Sequence, residues 1–208
     1  MVTVTPSLNS KLESVHILVA EGRLEEAALE LESLAESYPG SGRVSAALCN
    51  LYVTLERTEI PKELILNSLN HDESLNNVLL DYSSLLFTQE RFKECNNILE
   101  ALVWGNPDNH EAWNDLGAVR FALSDLVTSE QAFNQALALH PGHGEAILNL
   151  TALYMETHRP EMAAQTAVMA LDERCDATME MVIQLAGLIG TVAPEESASL
   201  LREAQKRS

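Results

Sequence analysis

Positive charge is scarce in this sequence of 208 residues: 13 Lys and Arg stand against 31 Asp and Glu, for a formal net charge of -18. A field of that sign repels phosphates, so nucleic acid, acidic lipid and polyanionic substrates are excluded as ligands, and a basic or amphipathic partner is favoured. Cysteine is scarce too. Cys49, Cys95 and Cys175 stand far apart with no CxxC pair, which argues against both a zinc site and a disulfide framework. Long apolar runs are missing. The longest, MVIQLAGLIGTVA over 181–193, contains Gln184 and falls short of the roughly 20 residues that cross a bilayer. It reads as a buried helix, and no membrane insertion is expected. The opening MVTVTPSLNSKLESV has neither a basic head nor an apolar core, so no secretory signal is read and a cytoplasmic protein is expected. Nucleophile elbow, phosphate loop, HExxH and dinucleotide fingerprint are lacking as well. With no site to argue from, the sequence predicts no enzyme, no catalytic residue, no metal and no cofactor.

What the chain does contain is 46% hydrophobic residues, enough for the core of one domain or a single repeat array. The prolines show which. Pro107 and Pro141 are 34 residues apart, Pro39 lies two such intervals before Pro107, and Pro160 and Pro194 are again separated by 34. Two unrelated proline columns thus share one period. Cutting on it gives units 8–41, 42–75, 76–109, 110–143 and 144–177, with a shorter one from 178.

Several columns then become legible. Leu31, Ile65, Leu99, Phe133, Ala167 and Leu201 form an apolar one; Leu18, Tyr52, Leu86, Arg120, Tyr154 and Leu188 form a mostly large one. Ala27, Pro61, Cys95, Ser129, Ala163 and Ser197 are mainly small. Within each unit the apolar spacing is helical, and breakers such as AEGRLEE and THRPEMA divide it into two helices. Pro160 and Pro194 fit the first turn of a second helix, Pro61 fits with a later start, and Pro39, Pro107 and Pro141 close that helix. Gly117 falls in the column Val15, Cys49, Ser83, Gly117, Thr151, Leu185, small in its four central members. Glycine inside a helix costs about 1 kcal/mol relative to alanine, so close crossing of the paired helices is expected there.

In the fourth unit Trp113, Leu116, Gly117, Phe133, Ala136 and Pro141 fall on the signature spacing of the tetratricopeptide repeat, which the chain resembles over nearly its whole length. The second unit departs from it, with Glu73 in the closing-proline column, and the sixth has Gln184 in the column of Leu116. The resemblance implies an all-α fold, a right-handed α-α superhelix of about six hairpins. The expected organisation is a tail over 1–7, five repeats over 8–177 and a capping helix pair over 178–208. In such solenoids the first helix of each hairpin lines a concave binding surface. Carried onto this sequence, that surface starts with Asn9, Leu12, His16, Arg43, Ala46, Asn50, Asn77, Leu80, Ser84 and Phe87. It continues with Glu111, Asn114, Ala118, Phe121, Glu145, Leu148, Ala152, Met155 and Glu156. Some relatives grip a peptide carboxylate there with cationic side chains. Arg43 is the one basic residue among these positions apart from His16, so that clamp is not expected.

Phe87, Phe121, Leu80, Leu148 and Met155 are therefore candidates to receive apolar side chains, and Asn50, Asn77 and Asn114 to bond a partner's backbone. For the two phenylalanines a core position remains the other reading. Glu111, Glu145 and Glu156, with Asp115 close by, would draw Lys or Arg toward the fifth unit. Cys49 and Cys95 read as small packed residues, and Cys175 as the end of a helix, with room for exposure. His140 and His143, in LHPGHGEA, read as a solvated turn because no third ligand is identified near them. The function expected is a non-catalytic adaptor that binds a protein or peptide. The alternatives are a scaffold that self-associates through its C-terminal end and an accessory subunit of an enzyme.

Overall fold

The computed structural model describes residues 7–57, 59–72 and 74–207. Glu73 and, apart from Ser7, the expected tail lie outside them. The chain divides into two compact units, Met1–Gly105 and Asn106–Ser208. The first holds α1 (Leu8–Ala20), α2 (Leu24–Ser37), α3 (Gly42–Thr54), α4 (Lys62–Leu69), α5 (Leu75–Thr88) and α6 (Phe92–Gly105). The second holds α7 (His110–Ala122), α8 (Leu126–Leu139), α9 (Gly144–Glu156), α10 (Pro160–Ala167), α11 (Met179–Ile189) and α12 (Pro194–Arg207). All regular structure among the described residues is helical, and no helix is long and apolar enough to cross a membrane.

Five of the hairpins turn on the same device. Gly22, Glu56, Glu90, Ser124 and His158, at intervals of 34, have left-handed backbone, with φ between 52° and 75°. At each, the following amide reaches back five residues, as from Arg91 N–H to Leu86 O at 2.9 Å, while its own reaches back three, as from Glu90 N–H to Phe87 O at 3.0 Å. This is the Schellman ending, which satisfies carbonyls that a helix end leaves open. Glycine adopts it freely, and other residues are penalised by roughly 1 to 2 kcal/mol. Replacing the exposed Glu90 by glycine should therefore raise the urea midpoint, corresponding to about 1 kcal/mol at an unchanged denaturant slope. A lower midpoint would show that Glu90 supplies something beyond its backbone.

Second helices start at Leu24, Phe92, Leu126, Pro160 and Pro194, all in step with the period, but α4 starts four residues late at Lys62. The cause is Pro61. In the other hairpins its column makes the first helical hydrogen bond, as in Ala27 N–H to Arg23 O, Cys95 N–H to Arg91 O and Ser129 N–H to Asp125 O. Proline has no N–H to give and drives the residue before it out of helical backbone. Pro61 becomes the N-cap, and α4 keeps 8 residues where α2, α6 and α8 have 14.

The small column marks the crossing of paired helices, as expected. A β-carbon on Gly117 would stand 2.5 Å from Cδ1 of Phe133, whose side chain is fully buried. Ser129 Oγ donates to Gly117 O at 2.7 Å, and Cys95 Sγ to Ser83 O at 3.2 Å. Cys49 is enclosed as well, and burial pushes its thiol up to about 11. Trp113 is only partly buried. Its ring packs on the core of the second unit while its indole N–H donates to Pro107 O at 2.8 Å, tying α7 to the turn before it.

The few basic residues are largely engaged in this scaffold. Arg57 Nη1 and the Tyr52 hydroxyl both donate to Glu32 Oε1, at 2.7 and 2.8 Å, which clasps α3 and its turn to α2. Arg159 and Tyr154 hold Glu130 of α8 in the same manner, with Arg159 Nη2 2.7 Å from Oε2. In each clasp the guanidinium lies over the tyrosine ring, 5.0 and 4.5 Å from its centroid.

Beyond α10 the chain leaves the pattern. A 3-10 turn over Val168–Leu171 ends the second helix of the fifth hairpin early, and residues 172–177 return across the turn before α9. Asp176 fixes them there: its N–H donates to Gly142 O at 2.9 Å, and its Oδ1 accepts from Gly144 N–H at 2.6 Å. Glycine is required at both positions. A β-carbon at 142 would meet Arg174 O at 2.6 Å, and one at 144 would meet Ala177 Cα at 2.5 Å. Cys175 consequently lies buried in this return segment rather than exposed at a helix end.

Candidate partner-binding surface

In the first unit the inner positions separate by exposure. Arg43 is exposed but its Nη1 donates to Asn9 Oδ1 at 2.8 Å, which joins two successive first helices. Asn50 and Asn77 are exposed. Phe87 is 37% exposed, with its ring edge-on to Phe92 at 5.3 Å between centroids. Leu80 is not available. It is only 8% exposed because α5 buries a broad stripe, Leu75, Leu79, Leu80, Tyr82, Ser83 and Leu86, that extends past the face carrying Phe87.

In the second unit Glu111, Glu145 and Glu156 are exposed, while Phe121, Leu148 and Met155 are partly buried and packed against the core. Asn114 departs from expectation. It is 3% exposed, and its Oδ1 accepts from Asn149 Nδ2 at 3.1 Å while its Nδ2 donates to Asp115 Oδ1 at 3.4 Å. Its amide therefore holds α7 to α9 and does not meet a partner's backbone. Asn149, in the column of Asp115, was not singled out by the period alone, because a repeat fixes register and not which polar pairs close on each other.

Asp115 carries the electrostatics of this surface. Burial first, then the carboxylates of Glu145 and Glu111, push its carboxyl up to about 6, against a lowering hydrogen bond from Asn114. An acidic group this reluctant to ionise beside two exposed glutamates is a place where an added positive charge lowers the energy.

The turn of His140 and His143 is not the solvated loop expected. His143 is 7% exposed, and His110, at the start of α7, supplies the third imidazole. Ring centroids are 4.8 Å apart for His110 and His140, 5.0 Å for His110 and His143, and 5.7 Å for His140 and His143. The signal was in the register: one period after His110 stands Gly144, next to His143. At the C-terminal end, α11 leaves Met179 and Ile183 exposed one turn apart.

No protein-family model matches the chain, and no curated protein is significantly similar to it. Solved structures are. PilF of Pseudomonas aeruginosa is 18% identical over 95% of this chain and 90% of its own, with a TM-score of 0.51. A tetratricopeptide repeat protein from Parabacteroides merdae is 14% identical over 95% and 77%, with a TM-score of 0.50. A MamA protein is 14% identical over 78% and 89%, with a TM-score of 0.51. At these identities the likeness is one of fold.

Proposed function

We propose that this chain, which has the tetratricopeptide-repeat fold, is a non-catalytic protein-interaction module. In this reading it serves as a cytoplasmic adaptor that takes a basic, amphipathic peptide or protein segment on α7 and α9 of the second unit. The observation that supports this most is Asp115. Its carboxyl, raised to about 6 by burial and by Glu145 and Glu111, is relieved by a Lys or Arg from a partner, and bonds between ionised groups are the stronger ones. Phe121, Leu148 and Met155 offer partly buried apolar surface to the other side of an amphipathic segment, and Glu156 extends the acidity along α9. The net charge of -18 steers such a partner toward the chain. Asn50, Asn77 and Phe87 are a separate exposed set in the first unit, open to the same class of partner.

Selection of peptides from a random display library on the intact chain tests the reading. Enriched peptides should be amphipathic and contain Lys or Arg, and the double variant Glu111→Lys, Glu145→Lys should bind them at least about tenfold more weakly, with a flatter salt dependence. Affinity should also fall as the pH is lowered from 7 to 5, because Asp115 loses its charge through about 6. Peptides without basic residues, or equal binding by the charge-reversed chain, would sink the proposal.

A further inference from the structure

We propose that the cluster of His110, His140 and His143 is a proton-operated latch, in which protonation frees the turn before α9 from the return segment 172–177. Four of its ring nitrogens, Nδ1 of His110, Nδ1 of His140 and both of His143, are buried without a hydrogen-bond partner. A neutral imidazole has one donor and one acceptor, so His143 is held with neither satisfied, which costs of the order of a hydrogen bond or more. Neutral rings tolerate this stack. A proton on His143 sets a positive charge on a ring that is 7% exposed, with the His110 and His140 rings 5.0 and 5.7 Å away between centroids and no acceptor for either N–H.

The charged groups around the cluster decide what gives way. From α7 comes Glu111 beside His110, from α9 Glu145, and from the return segment Asp176, with Arg174 occupied by Asp172 at 3.0 Å. Asp176 already accepts from Gly144 N–H through Oδ1, and its Oδ2 lies 3.7 Å from His140 Nδ1. Neither oxygen bonds His143, whose two ring nitrogens are without a partner, so a proton on His143 must be met by water, which enters only if the return segment lifts. Among the described residues no group of three His, Cys, Asp or Glu side chains is arranged to hold a metal ion; the acids favour a proton on the cluster, and the burial of His143 opposes it there.

Burial, with His110 next, holds His143 below the ordinary His value. A group depressed in the folded state contributes stability above its unfolded value, near 6.5, and that stability is lost as the pH falls toward the folded value. The latch closes above that range and loosens below it.

Hydrogen exchange of the intact chain, followed by NMR without any partner, tests the latch independently of the adaptor reading. Protection factors of the Gly144 and Asp176 amides should fall by up to roughly tenfold per pH unit below pH 6.5, while amides within α3 keep theirs. His143→Phe, which retains an aromatic ring and cannot titrate, should flatten the dependence. The proposal is overturned by equal slopes in wild type and variant. Should that variant not fold, the titration of the His143 ring in the wild type decides: a value at or above that of a free His overturns the latch, and one clearly below supports it.

Discussion

Replacing Gly144 by alanine lowers the stability of the chain by about 2 to 3 kcal/mol. The added β-carbon would stand 2.5 Å from Ala177 Cα and 2.7 Å from its backbone nitrogen. A side chain there could swing away, but a backbone cannot, and this one is tied one residue earlier by the two hydrogen bonds of Asp176. The methyl group therefore displaces the return segment, breaks the lock on Gly144 and uncovers Cys175, which is buried in the wild type. Urea unfolding gives the loss of stability, and a thiol reagent gives its location, since Cys175 should react in the folded variant. Gly187→Ala is the contrast. Nothing lies within 4 Å of a β-carbon at that exposed position of α11, so the same chemical change should stabilise by up to about 1 kcal/mol through helix propensity. Equal midpoints for the two variants would refute the packing assigned to residues 174–177.

The division between what the sequence discloses and what it hides follows from what a period can encode. Columns at intervals of 34 report residues that meet their partners within one hairpin, so Gly117, Cys95 and the late start at Pro61 were legible. The left-handed column was partly legible, since its first member is Gly22 while Glu56, Glu90, Ser124 and His158 carry no compositional sign of the turn they make. Exposure across neighbouring hairpins is a different quantity. It depends on how closely helices approach, and so Leu80 and Asn114 sit in binding columns of the family yet are buried here.

The histidine cluster was hidden for a second reason. His140 and His143 meet His110 from the preceding first helix, and the segment that covers them exists only because α10 stops at Ala167. A helix that continued in step with α8 would have carried Asp176 elsewhere. The glycines of PGHG were the available trace, because each marks a place where backbone passes within 3 Å of where a β-carbon would be. The crossing segment is what they serve.

Gly117→Leu should destabilise the second unit by about 3 kcal/mol or more, at the upper end of the overpacking range. A β-carbon at 117 already falls 2.5 and 2.6 Å from two carbons of the Phe133 ring, and that ring is fully buried, in an interior packed closely enough that moving it strains its neighbours. Helix propensity works the other way, by at most about 1 kcal/mol, and does not offset the clash. The reciprocal change, Phe133→Ala, removes the ring and should cost about 3 to 5 kcal/mol through the cavity it leaves. Combined, the two substitutions should cost less than their sum by more than about 1 kcal/mol. The leucine then occupies space that the ring vacated, and the ring it would have struck is gone. Unfolding midpoints and slopes of the four chains in the cycle measure that coupling directly. If the losses instead add within experimental error, the leucine is not meeting Phe133, and the reason given for a glycine in the middle of α7 is wrong.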